Sequence, residues 1–324
     1  MLKIALDAMG GDKAPGEIVR GAVMAVERSN GRFSVVLTGP EATVRRELEQ
    51  CGYSGQLIEI VDAPQLVAMD ESPANVVKHM PESSLVKCVA LQKEGAVQAS
   101  ISAGNSGAMM AASMMILGRI PGVNRPAISC LIPTNRQKTV VLDCGANVDE
   151  KPQYLVDWAI CGAVYAEKVL GRNNPSVGLL NIGEEAKKGP ELERTVYQLL
   201  QSAPVNFIGN VEPREFIQGA TDVLVTGGFS GNLLLKFVES FYTLHLQQFG
   251  FIDTPQGRAF EEEWNYDNHG GALLIGLHGT GVIAHGRAEA KAIAAAIDAA
   301  WSFAHHQVSR RIEERLAPLQ EENS

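Results

Sequence analysis

Val97-Gln-Ala-Ser-Ile-Ser-Ala-Gly-Asn-Ser-Gly107 is the stretch that decides the fold. Val97–Ile101 reads as a buried strand. Gly104 then permits a tight turn, and Asn105 reads as the N-cap of a helix running to about Leu117. Glycine-rich polar turns after apolar runs recur at Asp7-Ala-Met-Gly-Gly-Asp12, Asp143-Cys-Gly-Ala-Asn-Val-Asp149, Asn181-Ile-Gly-Glu-Glu-Ala-Lys-Lys-Gly189 and Thr226-Gly-Gly-Phe-Ser-Gly-Asn232. Five such turns on the same side of successive strands predict one polar crevice at the carboxyl edge of a sheet. Glycine lets the backbone approach an anion closely, and N–H groups at a helix start supply partial positive charge. The pattern points to an enzyme that handles phosphate with no metal and no cofactor.

Strand-like and helix-like stretches alternate through the rest of the chain, which predicts a three-layer α/β/α architecture. Further strands are expected at Leu2–Leu6, Phe33–Leu37, Leu57–Val61, Val177–Leu180, Asn206–Ile208, Val223–Val225 and Val282–Ala284. Helices are expected from Pro15 to about Arg28 and over Glu41–Gln50, Pro73–His79, Ser84–Lys93, Gln153–Val169, Pro190–Gln201 and Leu233–Gln248. One long terminal helix should run from Arg287 to about Arg315. Ala127–Ile132 and Thr139–Leu142, joined by Asn135-Arg-Gln-Lys138, read as a hairpin, so the sheet should be mixed though mostly parallel. Gly250–His269 is polar and acidic. With no repeat or linker, residues 1–324 read as a single domain with a helical protrusion at about 233–269.

Hydrophobic residues make up 45% of the 324 and charged residues 20%, as in a soluble globular protein. Cys51, Cys88, Cys130, Cys144 and Cys161 are scattered and form no CxxC pair, which argues against a zinc site or disulfide framework and fits a reducing cytoplasm. The first residues read as a strand rather than a signal peptide, and no apolar run is long enough to span a membrane. A formal charge of −9 argues against nucleic-acid binding. The absence of GxGxxG after the first strand disfavours a nicotinamide dehydrogenase.

The quoted turns, with Arg125-Pro-Ala127 and His285-Gly286, resemble the PlsX family of acyl-carrier-protein:phosphate acyltransferases from about residue 3 to residue 310. SAGNSGA, LDCGANVD, LNIGEEAKKG and GNLLLK carry the likeness. The resemblance implies a fold like the isocitrate/isopropylmalate dehydrogenases and phosphotransacetylases. It also implies a homodimer, with acyl carrier protein and inorganic phosphate as partners. The reaction implied is transfer of a long fatty acyl chain from the carrier thioester to phosphate, giving acyl phosphate for phospholipid synthesis. Such chemistry suits the residues present. Phosphate is a competent nucleophile and a thiolate a good leaving group, so the barrier lies in positioning the reactants and stabilising the tetrahedral oxyanion. Backbone amides, asparagines and one lysine suffice, and neither a GxSxG elbow nor a paired Cys/His is needed.

Lys188 stands before Gly189 and Pro190, at a helix start, and would neutralise phosphate; Lys187 is the alternative, and Glu184 and Glu185 are placed to orient it. Asn105 and Ser106 either meet substrate or simply open their helix. Asn232 is expected as an oxyanion donor, with a helix cap as the alternative. Substrate is expected against Gly10, Gly11, Gly104, Ser106, Gly107, Asn147, Gly183, Gly228, Ser230, Gly231 and His285. Asp143, Asn147 and Asp149 read as hydrogen-bonding residues rather than metal ligands, and Asp7 and Asp12 as braces of their loop. Nothing near Cys144 would lower its pKa. Met109, Met110, Met114 and Met115 read as core.

Two regions depart from the family pattern. Gly227 stands where the family usually carries aspartate. The segment between Lys236 and Gly270 is shorter than usual, with Leu273 in place of a proline. Between Phe249 and His269 only Arg258 is a strong cation, against Asp253, Glu261, Glu262, Glu263 and Asp267, so weak or no membrane association is expected. The helix Leu233–Phe249 is apolar on more than one face, which separately predicts a homodimer. The alternatives are a paralogue that activates another carrier- or coenzyme-A-bound acyl group, and a catalytically silent binding protein.

Overall fold

The computed structural model describes residues 1–249, 254–265, 268 and 270–321. In chain order the first elements are β1 Leu2–Asp7, α1 Gly16–Arg28, β2 Phe33–Gly39, α2 Glu41–Gln50, β3 Ile58–Asp62, α3 Pro73–His79, α4 Ser84–Lys93, β4 Ala99–Ser102 and α5 Ser106–Ala112. There follow β5 Ala127–Pro133, β6 Lys138–Leu142, α6 Pro152–Lys168, β7 Ser176–Leu180, α7 Glu191–Leu200, β8 Asn206–Val211, α8 Pro213–Ile217 and β9 Val223–Val225. The last are α9 Gly228–Phe249, α10 Pro255–Trp264, β10 Ala272–Ile275, β11 Thr280–Ile283, α11 Ala290–His305 and α12 Val308–Glu321.

The chain divides into two compact units, Met1–Gly118 with Asp267–Ser309 and Arg119–Tyr266 with Arg310–Ser324. In the first unit the strand order is β3-β2-β1-β4-β11-β10, parallel throughout except for β10 against β11. Ile4, Ala5 and Leu6 are all fully buried, because α1, α2 and α11 cover one side of these strands and α4 the other. In the second unit the order is β5-β6-β9-β7-β8, parallel except for the expected hairpin, which pairs Ile132 with Thr139 antiparallel. There α6 packs on β6 and β9 and buries Trp158, whose indole N–H donates to Arg125 O at 2.8 Å.

The alternation read from sequence is therefore present, and the sheets are mixed and mostly parallel. Four details differ. The terminal helix is broken into α11 and α12 at Gln307, which takes the left-handed conformation at φ +52°. The helix after Asn105 changes to a π-helical turn over Ser113–Leu117. α9 begins at Gly228, ahead of Leu233. β10 and α8 had no counterpart in the expectation. Within the acidic segment α10 is helical, while Phe251, Ile252, Asp253, Asp267 and His269 lie outside the described residues. No helix among the described residues is long and apolar enough to cross a membrane.

Candidate active site

In the second unit β6, β9 and β7 end side by side, with Leu142 and Leu179 both opposite Val225. Their loops are the Asp143, Thr226 and Asn181 segments. Asp143 is fully buried and accepts N–H bonds from Ile128 (2.9 Å), Ala146 (3.1 Å) and Asn147 (2.8 Å), and from the Asn147 side-chain amide (2.9 Å). Burial pushes its pKa above the ordinary carboxylate value, and these bonds oppose the shift. Asn147 also donates to Pro126 O at 3.0 Å, so its amide protons are engaged in bracing.

Onto this brace the first turn of α9 closes tightly. A Cβ on Gly228 would lie 2.1 Å from Asn147 O, and one on Gly231 would lie 1.9 Å from Asp143 O. Only glycine permits that approach. The α9 N-terminus is met by Glu150, whose carboxylate accepts from Gly228 N at 2.6 Å. No signal in the sequence marked Glu150. Asn232 lies over Gly145, with its Cγ 3.2 Å from where a Gly145 Cβ would stand. It is exposed, sits in the second turn of α9, too deep to cap it, and its amide has no hydrogen-bond partner among the described residues. Ser230 is exposed beside it.

The loop after β7 carries Lys188. Its stem folds over Gly183, its ammonium is half exposed, and it reaches Glu185 at 3.8 Å. Asn181 donates to Lys188 O at 3.2 Å and Asn210 to Glu185 O at 2.9 Å, which ties the loop to strands β7 and β8. The Cys144 thiol is buried and held well above its usual pKa by its hydrogen bond with the Cys130 thiol and by burial, which argues against an acyl-cysteine.

In the first unit the loops after β1, β4 and β11 interlock. Buried Asp7 accepts from the Ser102 hydroxyl at 2.7 Å and from Met9 N at 3.1 Å, and Ser102 accepts from Gly104 N at 3.0 Å. Gly10 packs against Gly104, and Asp12 N donates to Gly286 O at 2.7 Å, beside Gly11. Burial raises the Asp7 pKa. Asn105 is buried and fully engaged. Its oxygen caps α5 at Ala108 N (2.9 Å), and its amide donates to Met69 O (3.1 Å) and Glu71 O (2.8 Å). Ser106, Gly107 and His285 are exposed, and His285 accepts from Arg287 N at 3.2 Å. Met109 is core as expected, whereas Met115 is exposed.

Along α9, Leu233, Phe237, Phe241 and Leu244 are exposed while Leu235 is buried, so the helix does present a second apolar face. Phe260 and Trp264 of α10 stack on each other, and Phe260 also stacks on Tyr242 of α9. These rings are thus used within the chain.

The family model described as "Fatty acid synthesis protein" matches residues 2–250 and 252–311. The phosphate acyltransferase of Desulforamulus reducens is 43% identical over 328 residues, covering 98% of each chain. A phosphotransacetylase from Streptococcus pyogenes superposes with a TM-score of 0.68 at 17% identity, over 94% of each chain. A 4-hydroxythreonine-4-phosphate dehydrogenase from Burkholderia phymatum does so with a TM-score of 0.51 at 14% identity, over 97% of this chain and 98% of that one. The two structures are similar in fold.

Proposed function

Because the chain belongs to the fatty acid synthesis protein family, we propose that it transfers a fatty acyl group from an acyl-carrier-protein thioester to inorganic phosphate, releasing acyl phosphate for phospholipid synthesis. Its phosphate acyltransferase relatives support acyl transfer involving phosphate. The observation that carries the proposal is Asn232, an exposed amide in the second turn of α9 with no hydrogen-bond partner among the described residues, beside a glycine-lined loop.

A phosphate oxygen attacks the thioester carbonyl carbon, and a C–O bond forms as the carbonyl pair moves to oxygen. Asn232 donates to that oxyanion. Collapse breaks the C–S bond and sulfur leaves as thiolate, so no covalent enzyme intermediate arises. Lys188, with Glu185 steering it, offsets the phosphate charge, and exposed Ser230 lines the approach, while buried Gly183, Gly228 and Gly231 let the loops pack closely beneath it. Asn147 and Asn105 act as braces for their loops rather than as donors to substrate. Gly10, Gly11, Gly104, Ser106, Gly107 and His285 remain substrate-binding candidates on the first unit. The exposed stripe on α9 supports a homodimer, which light scattering at micromolar concentration checks; a monomeric mass would refute it. Weak membrane association belongs to the same reading, and robust flotation with anionic liposomes would contradict it.

The deciding assay incubates the protein with acyl-carrier-protein or coenzyme A thioesters, with and without phosphate. Phosphate-dependent thiol release with trappable acyl phosphate, faster from the carrier thioester, is expected. Thiol release indifferent to phosphate would overturn the proposal.

A further inference from the structure

Four large apolar side chains among the described residues are at least 70% exposed: Ile182 at 79%, Met1 at 74%, Val148 at 73% and Phe229 at 70%. Met1 is the chain end. Ile182 and Val148 stand on the loops that follow β7 and β6, and Phe229 in the first turn of α9, which follows β9; the same three segments hold Lys188, Asn147 and Asn232. Neighbouring strands lie about 4.7–4.9 Å apart, and these three end in register, so the loops start from one short stretch of strand edge. Val148 and Phe229 are closer still, because Asn147 O lies against Gly228.

A single exposed apolar side chain is ordinary. Three of the most exposed, on segments that leave one strand edge side by side, mark a binding surface. The Asn147 amide and the Gly228 N–H are taken up by Asp143 and Glu150, whereas the Asn232 amide and the Lys188 ammonium stand exposed, with Ser230 and Lys187 also at the surface of these segments. A ligand that fits is therefore an amphiphile, with a polar, reactive head at the amide and ammonium and an apolar tail across the rim.

We infer that Val148, Ile182 and Phe229 form the seat for the acyl chain of the thioester and set the preference for long chains. The inference rests on the acyl transfer proposed above. Fixing the first part of the tail against these side chains holds the carbonyl at Asn232, so their contact is converted into specificity for chain length.

The test compares kcat/KM for palmitoyl and butyryl thioesters in Val148→Ser, Ile182→Ser and Phe229→Ala. The palmitoyl-to-butyryl preference should fall by about tenfold for each substitution, as expected when contact with a few methylenes is lost. Ile208→Ser, on β8 and 46% exposed, should keep the parent preference. Equal losses with both chains would overturn the seat, as would conversion to monomer with the preference intact. A loss confined to carrier-bound thioesters, absent with coenzyme A thioesters of the same chain, would show that the patch reads the carrier protein instead. Calorimetric binding without phosphate separates this inference from the proposed reaction. Tighter binding of palmitoyl than butyryl thioester that vanishes in the variants supports the seat even where no acyl phosphate forms, and equal binding of both overturns it.

Discussion

Asp7 in the first unit and Asp143 in the second each close a strand with a buried carboxyl group that braces a glycine loop, yet their partners differ in kind. Asp7 is held by the hydroxyls of Ser84 and Ser102 and by the backbone N–H groups of Met9 and Gly10. A hydroxyl rotates and can donate or accept, so this brace tolerates a change in the protonation of the acid. Asp143 faces four N–H donors and, among the described residues, no hydroxyl partner. These bonds favour the ionised form against the burial that raises its pKa, and they fix the loop in one geometry. A fixed loop beside Asn232 and Lys188 is what oxyanion stabilisation requires, since donors must be in place before the charge develops. We place the proposed oxyanion and phosphate contacts in the second unit, where they can be broken.

The largest expected effect is that Lys188→Ala abolishes phosphate-dependent acyl transfer with the fold intact by circular dichroism, while His285→Ala in the first unit loses no more than several-fold. An ammonium facing a phosphate dianion in a partly desolvated site has no substitute. If His285→Ala is the inactive variant, or if Lys187→Ala is inactive and Lys188→Ala turns over normally, the assignment is reversed.

Next comes Asn232→Ala, which should lower kcat on the order of 10²-fold without loss of thermal stability. Asn105→Ala should do the opposite. It removes a cap and the clamp on residues 69 and 71, and costs about 1 kcal/mol of stability. Steady-state rates and melting curves on the two proteins settle which asparagine is chemical and which is structural.

The braces themselves are compared by Asp143→Asn and Asp7→Asn. An amide at 143 would turn an NH2 group toward N–H donors, and about 3 kcal/mol of stability should be lost; at 7 the serine can reverse, and about 1 kcal/mol is expected. The pH dependence has a definite sign. Both acids have folded pKa values raised above the ordinary 3.8, so the folded state holds its proton where the unfolded chain has released it. Stability from each is fully present below the unfolded value and falls as pH rises through the folded one. Urea unfolding against pH should show that slope in the parent and a flatter one in each variant. A slope of the opposite sign would mean that hydrogen bonding outweighs burial.

How much of this was legible in the sequence follows from how local each signal is. Strand–turn–helix grammar is local, so the alternation, the Ala127–Leu142 hairpin and the glycine loops could be read directly. β10 lies between Gly271 and Gly276 in a uniformly apolar run with no alternation to mark it, and Gln307 breaks a helix in a conformation usually left to glycine or asparagine. Partners distant in sequence were hidden altogether. The donors of Asn105 go to carbonyls about 35 residues away, and Glu150 reaches an N–H 78 positions along the chain. The loop on which each candidate residue stands was readable. Whether its polar atoms remain free for a substrate depends on tertiary neighbours.

Glu150 supplies the smallest and sharpest test. Its carboxylate accepts from the first N–H of α9, and a Cβ on Gly227 would stand 3.2 Å from it. Glu150→Ala removes an acceptor from a helix N-terminus and should cost about 1 kcal/mol, as loss of a capping group does. Gly227→Asp alone places a second carboxylate against the first and should also destabilise, by up to about 1 kcal/mol for directly opposed like charges. Combined, the two changes leave one carboxylate at the same helix end, so the double variant should be more stable than either single one. The coupling energy in the cycle is then negative and as large as the single effects. Denaturation midpoints of the four proteins measure it. If the two losses simply add, Glu150 and position 227 do not share one electrostatic role, and the acidic brace at the start of α9 has to be attributed to packing.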